Sequence, residues 1–186
     1  SNTEGLSRKD YPTVDGLRAS EVVLENVRVP ASGLLGAEGA ASQTLNTVIN
    51  RGILAISAEA VGAMAVLYQS TIDYTKQRVQ FDHPLSEFQV VKHRLTEMFI
   101  EYNLAKSLCM KATMLLNQNS EDAQRHIHAL KFLIGKTSRF VGQNAGQLHG
   151  GMGMTEDLAI AHYFKRLMMI DATFGHTDIH LDAFVQ

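Results

Sequence analysis

Three glycines in four positions close the stretch Gln143-Asn144-Ala145-Gly146-Gln147-Leu148-His149-Gly150-Gly151-Met152-Gly153. Capping a helix takes one glycine. Three let a backbone pass close to another object and leave amides free for a phosphate, as backbone nests do. On residue physics alone the cap is the simpler account. The segment Arg78-Val79-Gln80-Phe81-Asp82-His83-Pro84-Leu85-Ser86-Glu87-Phe88-Gln89 is open to two similar readings. Arg78 at a helix end complements the helix dipole, and a guanidinium also grips a phosphate with two prongs. Phe81 and Phe88 either anchor the core beside a turn or offer a ring face to a planar ligand.

Other chemistries are set aside by what the 186 residues lack. No strand is followed by Gly-x-Gly-x-x-Gly, and there is no Walker loop. No Glu-x-x-His pair is present, which argues against a di-iron bundle. His176 and His180, four apart, can share a helix face, but no third ligand stands at metal spacing. They read as partly exposed histidines, and no metal is expected. A lone Cys109 forms no internal disulfide, so nothing points to an oxidising compartment. The net charge of −2 comes without a Lys/Arg block, which argues against nucleic acid as the main partner. No charged-then-apolar leader opens the chain, and it reads as free of an 18-residue apolar run able to cross a bilayer. The expectation is a soluble, cytoplasmic protein without a membrane partner, and its 45% hydrophobic content supports a folded core.

The elements that must position these residues change character near residue 40. Before it, Asp15-Gly16 marks a tight turn. Val22 and Leu24, then Val27 and Val29, alternate with polar neighbours and shift phase at Glu25-Asn26, predicting a bent strand or small hairpin that ends at Pro30. Two such strands lack a sheet to complete. After residue 40, Ile49, Ile53, Ile56, Ala60, Met64 and Leu67 predict one helix from a cap at Ser42 to about Gln77. Ser86 and Gln89 have the form of a capping box. Leu95, Met98, Tyr102, Ala105, Cys109, Ala112 and Leu116 form a packing seam on a second helix. Ile127, Leu130, Ile134, Val141, Ala145 and Leu148 mark a third. Thr155-Glu156 restarts a fourth, carrying Ile160, Phe164, Leu167 and Ile170 and ending near Gly175. The predicted fold is mainly α, an antiparallel four-helix bundle over residues 41–186, preceded by a β remnant over residues 1–40.

The Arg78 and Gly150 segments, in this order and separated by one long helix, resemble the C-terminal half of the acyl-CoA dehydrogenases. The resemblance covers nearly the whole chain. Asp10-Tyr11-Pro12-Thr13-Val14-Asp15-Gly16 through Leu34-Leu35-Gly36 looks like the last strands of that family's middle β-domain. Gly153-Met154-Thr155, His162-Tyr163-Phe164-Lys165-Arg166-Leu167 and Phe174-Gly175-His176-Thr177-Asp178-Ile179-His180-Leu181 are similar to the small-subunit type found in the pimeloyl-CoA dehydrogenases. Ser1-Asn2 reads as a cloning remnant, so an expressed fragment is expected.

The resemblance implies FAD as cofactor and an acyl-CoA, dicarboxylyl or otherwise unusual, as substrate. It implies assembly through helix faces into homo- or hetero-oligomers, the latter with a larger paralogous subunit. Arg78 would grip the pyrophosphate and Gln89 would hydrogen-bond the cofactor. Phe81 would join the flavin-contacting motif. Gln147, Leu148, His149, Gly150 and Gly151 would line the ADP portion, with Thr177 nearby. Arg51 would stand on the substrate side, and Gly175 would donate its backbone N–H to the thioester oxygen. Alone, the chain is expected to hold FAD weakly and to be inactive, because the isoalloxazine side of the site belongs to domains outside it.

One departure matters. Where the family carries its catalytic glutamate the chain has Gly175-His176-Thr177, and at the family's second location it has Asn50 beside Arg51. Neither position accepts an α proton. Either Asp178 takes over, with His176 and Asp171 behind it, or the subunit is catalytically silent and leaves deprotonation to a partner. A plain helical oligomerisation module is the competing class, since the Leu95–Leu116 seam suits that role equally well.

Overall fold

The computed structural model describes residues 3–155 and 157–186, without the side chain of Met154. Two compact units divide the chain, Ser1–Val48 and Ile49–Gln186. In the first, β1 (Leu6–Pro12) pairs antiparallel with β2 (Arg18–Leu24), from Leu6 opposite Leu24 to Pro12 opposite Arg18. The connection carries the expected Asp15-Gly16 turn, closed by the Thr13 amide on the Leu17 carbonyl at 2.9 Å. The strand boundaries differ from the sequence reading. The ladder ends at Leu24, because Asn26 adopts φ 55° and the Glu25 amide turns back to the Gly5 carbonyl at 2.8 Å. Val27 and Val29 therefore stand outside the hairpin. Ser1 and Asn2 lie outside the described residues.

Helix α1 (Ala41–Gln77) begins in the first unit and runs on through the second. Of its predicted stripe, Ile53, Ala60, Met64 and Leu67 are buried, Ile56 is half-buried and Ile49 is exposed. The membrane expectation needs correction here: by length and composition α1 is apolar enough to span a bilayer. Its apolar stripe, however, joins the common core with α2, α3 and α4. The alternation of alanine and glycine with Ile, Leu and Val disguises the run, because no stretch of bulky side chains announces it.

A two-residue hairpin follows, with β3 (Val79–Gln80) against β4 (His83–Pro84). Both central residues, Phe81 and Asp82, have positive φ, 55° and 65°, the turn whose twist suits a tight hairpin. The capping box is not formed. Leu85–Glu87 makes a 3-10 turn, and α2 (Gln89–Asn117) starts one residue after Phe88, whose carbonyl takes the Val91 and Lys92 amides. Ser86 thus precedes the helix, and Gln89 is its first residue.

Met98, Ala105, Cys109 and Ala112 of the α2 seam are buried, with Leu95, Tyr102 and Leu116 packed at its edge. Fully burying a side chain such as Ile134 of α3 (Ala123–His149) contributes about 1.5–3 kcal/mol. Gly150, at φ 61°, ends α3 in a conformation a side chain would strain. Helix α4 (Ala159–Ala172) starts four residues later than read, capped by the Leu158 backbone, and Glu156 lies outside the described residues. Arg166 of α4 ties it to α1 through Glu59 with two bonds of 2.6 and 2.8 Å. The C-terminal segment is itself helical, α5 (Thr177–Val185), packed along α3. Among the described residues the bundle therefore has four helices and a short fifth.

Candidate functional site

The two motif segments meet. Arg78, immediately after α1, has its amide on the Tyr74 carbonyl and its carbonyl on the Leu85 amide, both at 2.9 Å. This fixes the backbone and leaves the side chain exposed. Together with Tyr74 and Leu85, it lines an open groove of about 820 Å³ whose opposite wall is Gln147–Met152. The walls are locked by Tyr74, which stacks on the His149 ring at 4.3 Å and donates its hydroxyl to the His149 carbonyl at 3.4 Å.

The His149 ring is buried and its Nδ1 bonds the Ala145 carbonyl at 2.8 Å, so this residue offers the groove backbone, not imidazole. Phe81 stands beside the groove motif with 86% of its surface exposed, its ring edge-on to Phe88. Gln89 is exposed at the start of α2 and is not part of the groove lining.

A second concavity of about 700 Å³ adjoins the same glycines and includes Arg94, Asn144 and Phe164. Arg94 donates to the Asn144 side-chain carbonyl at 2.8 Å. Sequence reasoning missed Tyr74 and Arg94, because a lone polar residue on a helix carries no spacing signal, and gave Asn144 no role of its own within the glycine-closed stretch. A Cβ placed at Gly146, Gly150 or Gly151 meets no atom within 4 Å. These glycines thus leave open space instead of solving an internal clash.

Thr177, Gly175 and Asp178 lie elsewhere, at the turn between α4 and α5. Thr177 belongs to a different cavity, of about 300 Å³, with Gly135 and Arg139. The α4–α5 turn also touches the neighbourhood of Arg51: a Cβ on Gly52 would come within 2.9 Å of the Phe174 ring. Arg51 itself is exposed.

The carboxylates at the turn differ in their freedom. Asp171 is buried, accepts from the Thr177 hydroxyl at 2.7 Å with one oxygen and pairs with Arg139 at 3.2 Å through the other. Both of its oxygens are engaged, which disfavours it as a base. Asp178 is exposed in the first turn of α5 and has no hydrogen bond or ion pair among the described residues. His176 is exposed as the residue preceding α5.

Beneath the turn sits a buried polar group that sequence reading did not find. Lys131 is fully buried, and its ammonium donates to the Asp171 and Gly175 carbonyls at 2.8 and 2.9 Å. Burial pushes its pKa down, and the Asp171 charge partly offsets this. His180 is 3% exposed, which corrects its reading as a partly exposed residue beside His176. Its partner is His128, Nδ1 to Nδ1 at 2.9 Å. Burial holds both imidazoles below the ordinary value of 6.5; His180 lowers His128 further, while at His180 the bond to the Phe174 carbonyl and the Asp171 charge offset part of the lowering and Lys131 adds to it. Cys109 is buried, which pushes its thiol up.

Residues 37–186 match the family model described as acyl-CoA dehydrogenase, C-terminal domain. A probable acyl-CoA dehydrogenase of Bacillus subtilis, YngJ, is 30% identical over 96% of this chain and 48% of its own length. The solved structure of PigA with FAD and proline superposes with a TM-score of 0.93 at 26% identity, over 100% of this chain and 49% of that one. An acyl-CoA dehydrogenase from Geobacillus kaustophilus gives a TM-score of 0.91 at 26% identity, over 99% and 49%. The chain spans about half the length of the curated relatives it matches. With a family model matching from residue 37 to the last residue and a bundle that superposes on solved members, this chain belongs to the acyl-CoA dehydrogenase family, as its C-terminal domain.

Proposed function

We propose that the chain serves as the helical, cofactor-holding half of an FAD-dependent acyl-CoA dehydrogenase that introduces an α,β double bond into an acyl-CoA thioester. The observation that carries this reading is the meeting of Arg78 with Gln147–Gly151 across one groove whose glycines leave open space. A cation facing a side-chain-free backbone suits a dinucleotide: the guanidinium takes the pyrophosphate, and the glycines admit it at close range. When bound, FAD supplies the hydride acceptor.

The chain's own residues supply the rest. Gln147 and the backbone of Leu148, His149, Gly150 and Gly151 line the ADP portion. Phe81 presents an exposed ring, and Gln89 an exposed amide. The Thr177 hydroxyl gives its proton to Asp171, so toward a cofactor it acts as an acceptor. At the reacting end, Gly175 donates its N–H to the thioester oxygen, and Arg51 stands on the substrate side. Asp178 takes the α proton, whose weak acidity requires a polarised carbonyl.

The resemblance of the C-terminal segment to the small-subunit type favours a dicarboxylyl-CoA. Val90, Phe99, Ile100, Leu104, Met110 and Met114 leave an apolar surface on α2 that suits oligomer assembly, with a second copy or a larger paralogous subunit. The test is anaerobic mixing of the flavin-loaded full-length protein with a series of saturated acyl-CoAs of increasing length. Bleaching of the flavin by at least one of them is expected. A flavin that stays oxidised with every member, alone and with its partner subunit, removes the reading.

A further inference from the structure

The turn from α4 to α5 is held by its carbonyls. His180 Nε2 lies 2.9 Å from the Phe174 carbonyl oxygen, and Lys131 Nζ lies 2.9 Å from that of Gly175. A carbonyl only accepts, so His180 carries its proton on Nε2. Its Nδ1, 2.9 Å from His128 Nδ1, is then a lone pair, and His128 donates to it. Among the described residues no peptide bond is cis, so at this turn each peptide plane points its N–H opposite to its C=O.

The Gly175 N–H shares a plane with the Phe174 carbonyl and therefore points away from His180. The His176 N–H shares a plane with the Gly175 carbonyl and points away from Lys131. Neither amide has a hydrogen-bond acceptor among the described residues. The backbone reaches this arrangement through positive φ at both positions, 59° at Phe174 and 104° at Gly175. A Cβ on Gly175 would also come within 3.1 Å of His180 Nε2, so the glycine and the histidine fit as a pair. The following residue is fixed as well, through the bond from Thr177 to Asp171 and from Arg139 to the same carboxylate.

We propose that Lys131 and His180 are positioning residues that aim the Gly175 and His176 amides outward as a paired donor for the oxygen of the substrate thioester, with His128 fixing the His180 tautomer. This rests on the dehydrogenase reading above. As the α C–H bond breaks, its electron pair moves toward the thioester oxygen and its proton passes to the carboxylate. Two donors aimed in advance meet that growing charge without having to reorient. Loosening either carbonyl lets its peptide plane rotate and turns one donor away.

The experiment is single-turnover bleaching of the flavin-loaded full-length protein by the acyl-CoA that reduces the wild type fastest. His180→Leu is expected to slow bleaching about tenfold or more. Its apparent Kd for acyl-CoA and its flavin content should change by less than about twofold, since the donors matter most once charge develops. His180→Gln, whose amide N–H substitutes for Nε2–H, restores most of the rate.

The half-buried His128→Leu carries the test should the buried His180→Leu fail to fold. Without its donor, His180 can move its proton to Nδ1 and lose the Phe174 carbonyl, giving a smaller fall, about threefold to tenfold. A pH profile adds an independent readout. His180 faces His128 and Lys131 from α3 and Asp171 from α4. Protonating both imidazoles sets two N–H groups against each other, so the wild-type rate should fall on acidification below about 6.5, and His180→Gln should lose that limb.

Rates within about twofold of wild type for both leucine variants overturn the proposal. So does a fall that lies wholly in flavin content or acyl-CoA affinity. A wild-type flavin reduced by no acyl-CoA is a separate failure, of the functional reading itself.

Discussion

Arg78→Ala in the flavin-bound protein is expected to weaken FAD binding about 10- to 100-fold while leaving thermal unfolding nearly unchanged. The affinity estimate follows from charge-assisted hydrogen bonds, each worth about 1.5–3 kcal/mol. The stability estimate follows from position: the backbone of Arg78 is held at both ends by Tyr74 and Leu85, while its side chain is exposed. Removing an exposed side chain with no described ion pair changes stability by about 0.5 kcal/mol or less. Arg78→Lys should fall between, because it keeps the charge and loses the two-pronged geometry. Flavin titration by fluorescence beside differential scanning calorimetry separates the two effects. A lower unfolding temperature with unaltered flavin affinity would reduce Arg78 to a charge that complements the end of α1.

Asp178→Asn should lower turnover by about 10²- to 10⁴-fold with flavin content and folding preserved. Asp178 is the carboxylate at the α4–α5 turn whose oxygens are unengaged among the described residues, whereas Asp171 is committed to Thr177 and Arg139. The fold cost is small, since the substitution removes one charge from the N-terminal turn of α5, worth about 0.3–1 kcal/mol. Steady-state turnover of the flavin-loaded full-length protein, alone and with any larger paralogous subunit, is the measurement. Unaltered turnover moves deprotonation to the partner and leaves this chain as a silent subunit that contributes its groove and its bundle.

What could be read from sequence divides along physical lines. The α2 seam was legible because Leu95 to Leu116 keep strict three- and four-residue steps, and those steps are the core. The Arg78 and Gly150 segments were legible as motifs, and the structure joins them across one groove. Strand β1 was not, because Arg8, Lys9 and Asp10 interrupt alternation in a hairpin that buries little. The positive φ of Phe81 and Asp82 escaped notice since neither residue is the glycine or asparagine that usually signals such a turn. The helix start at Gln89 was hidden by a better capping residue three positions earlier.

The polar network beneath the α4–α5 turn was the hardest to foresee. Lys131 bonds carbonyls 40 and 44 residues away, and His128 meets His180 across 52. Lysines on helices are normally solvated, so a buried one is visible only when the carbonyls it satisfies are in place. The bonds from Thr177 and Arg139 to the Asp171 carboxylate decide which of Asp171 and Asp178 is free, a choice that spacing could not make.

The turn opening at Arg78 and the glycines ending at Gly151 are proposed to hold a dinucleotide between them. The most direct test of this is an experimental structure of the FAD-loaded protein in its native oligomer. The pyrophosphate is expected within hydrogen-bonding reach of the Arg78 guanidinium, with the ADP portion passing over Gly150 and Gly151. A cofactor seated elsewhere, with this groove filled by water or by a partner's side chains, would contradict it.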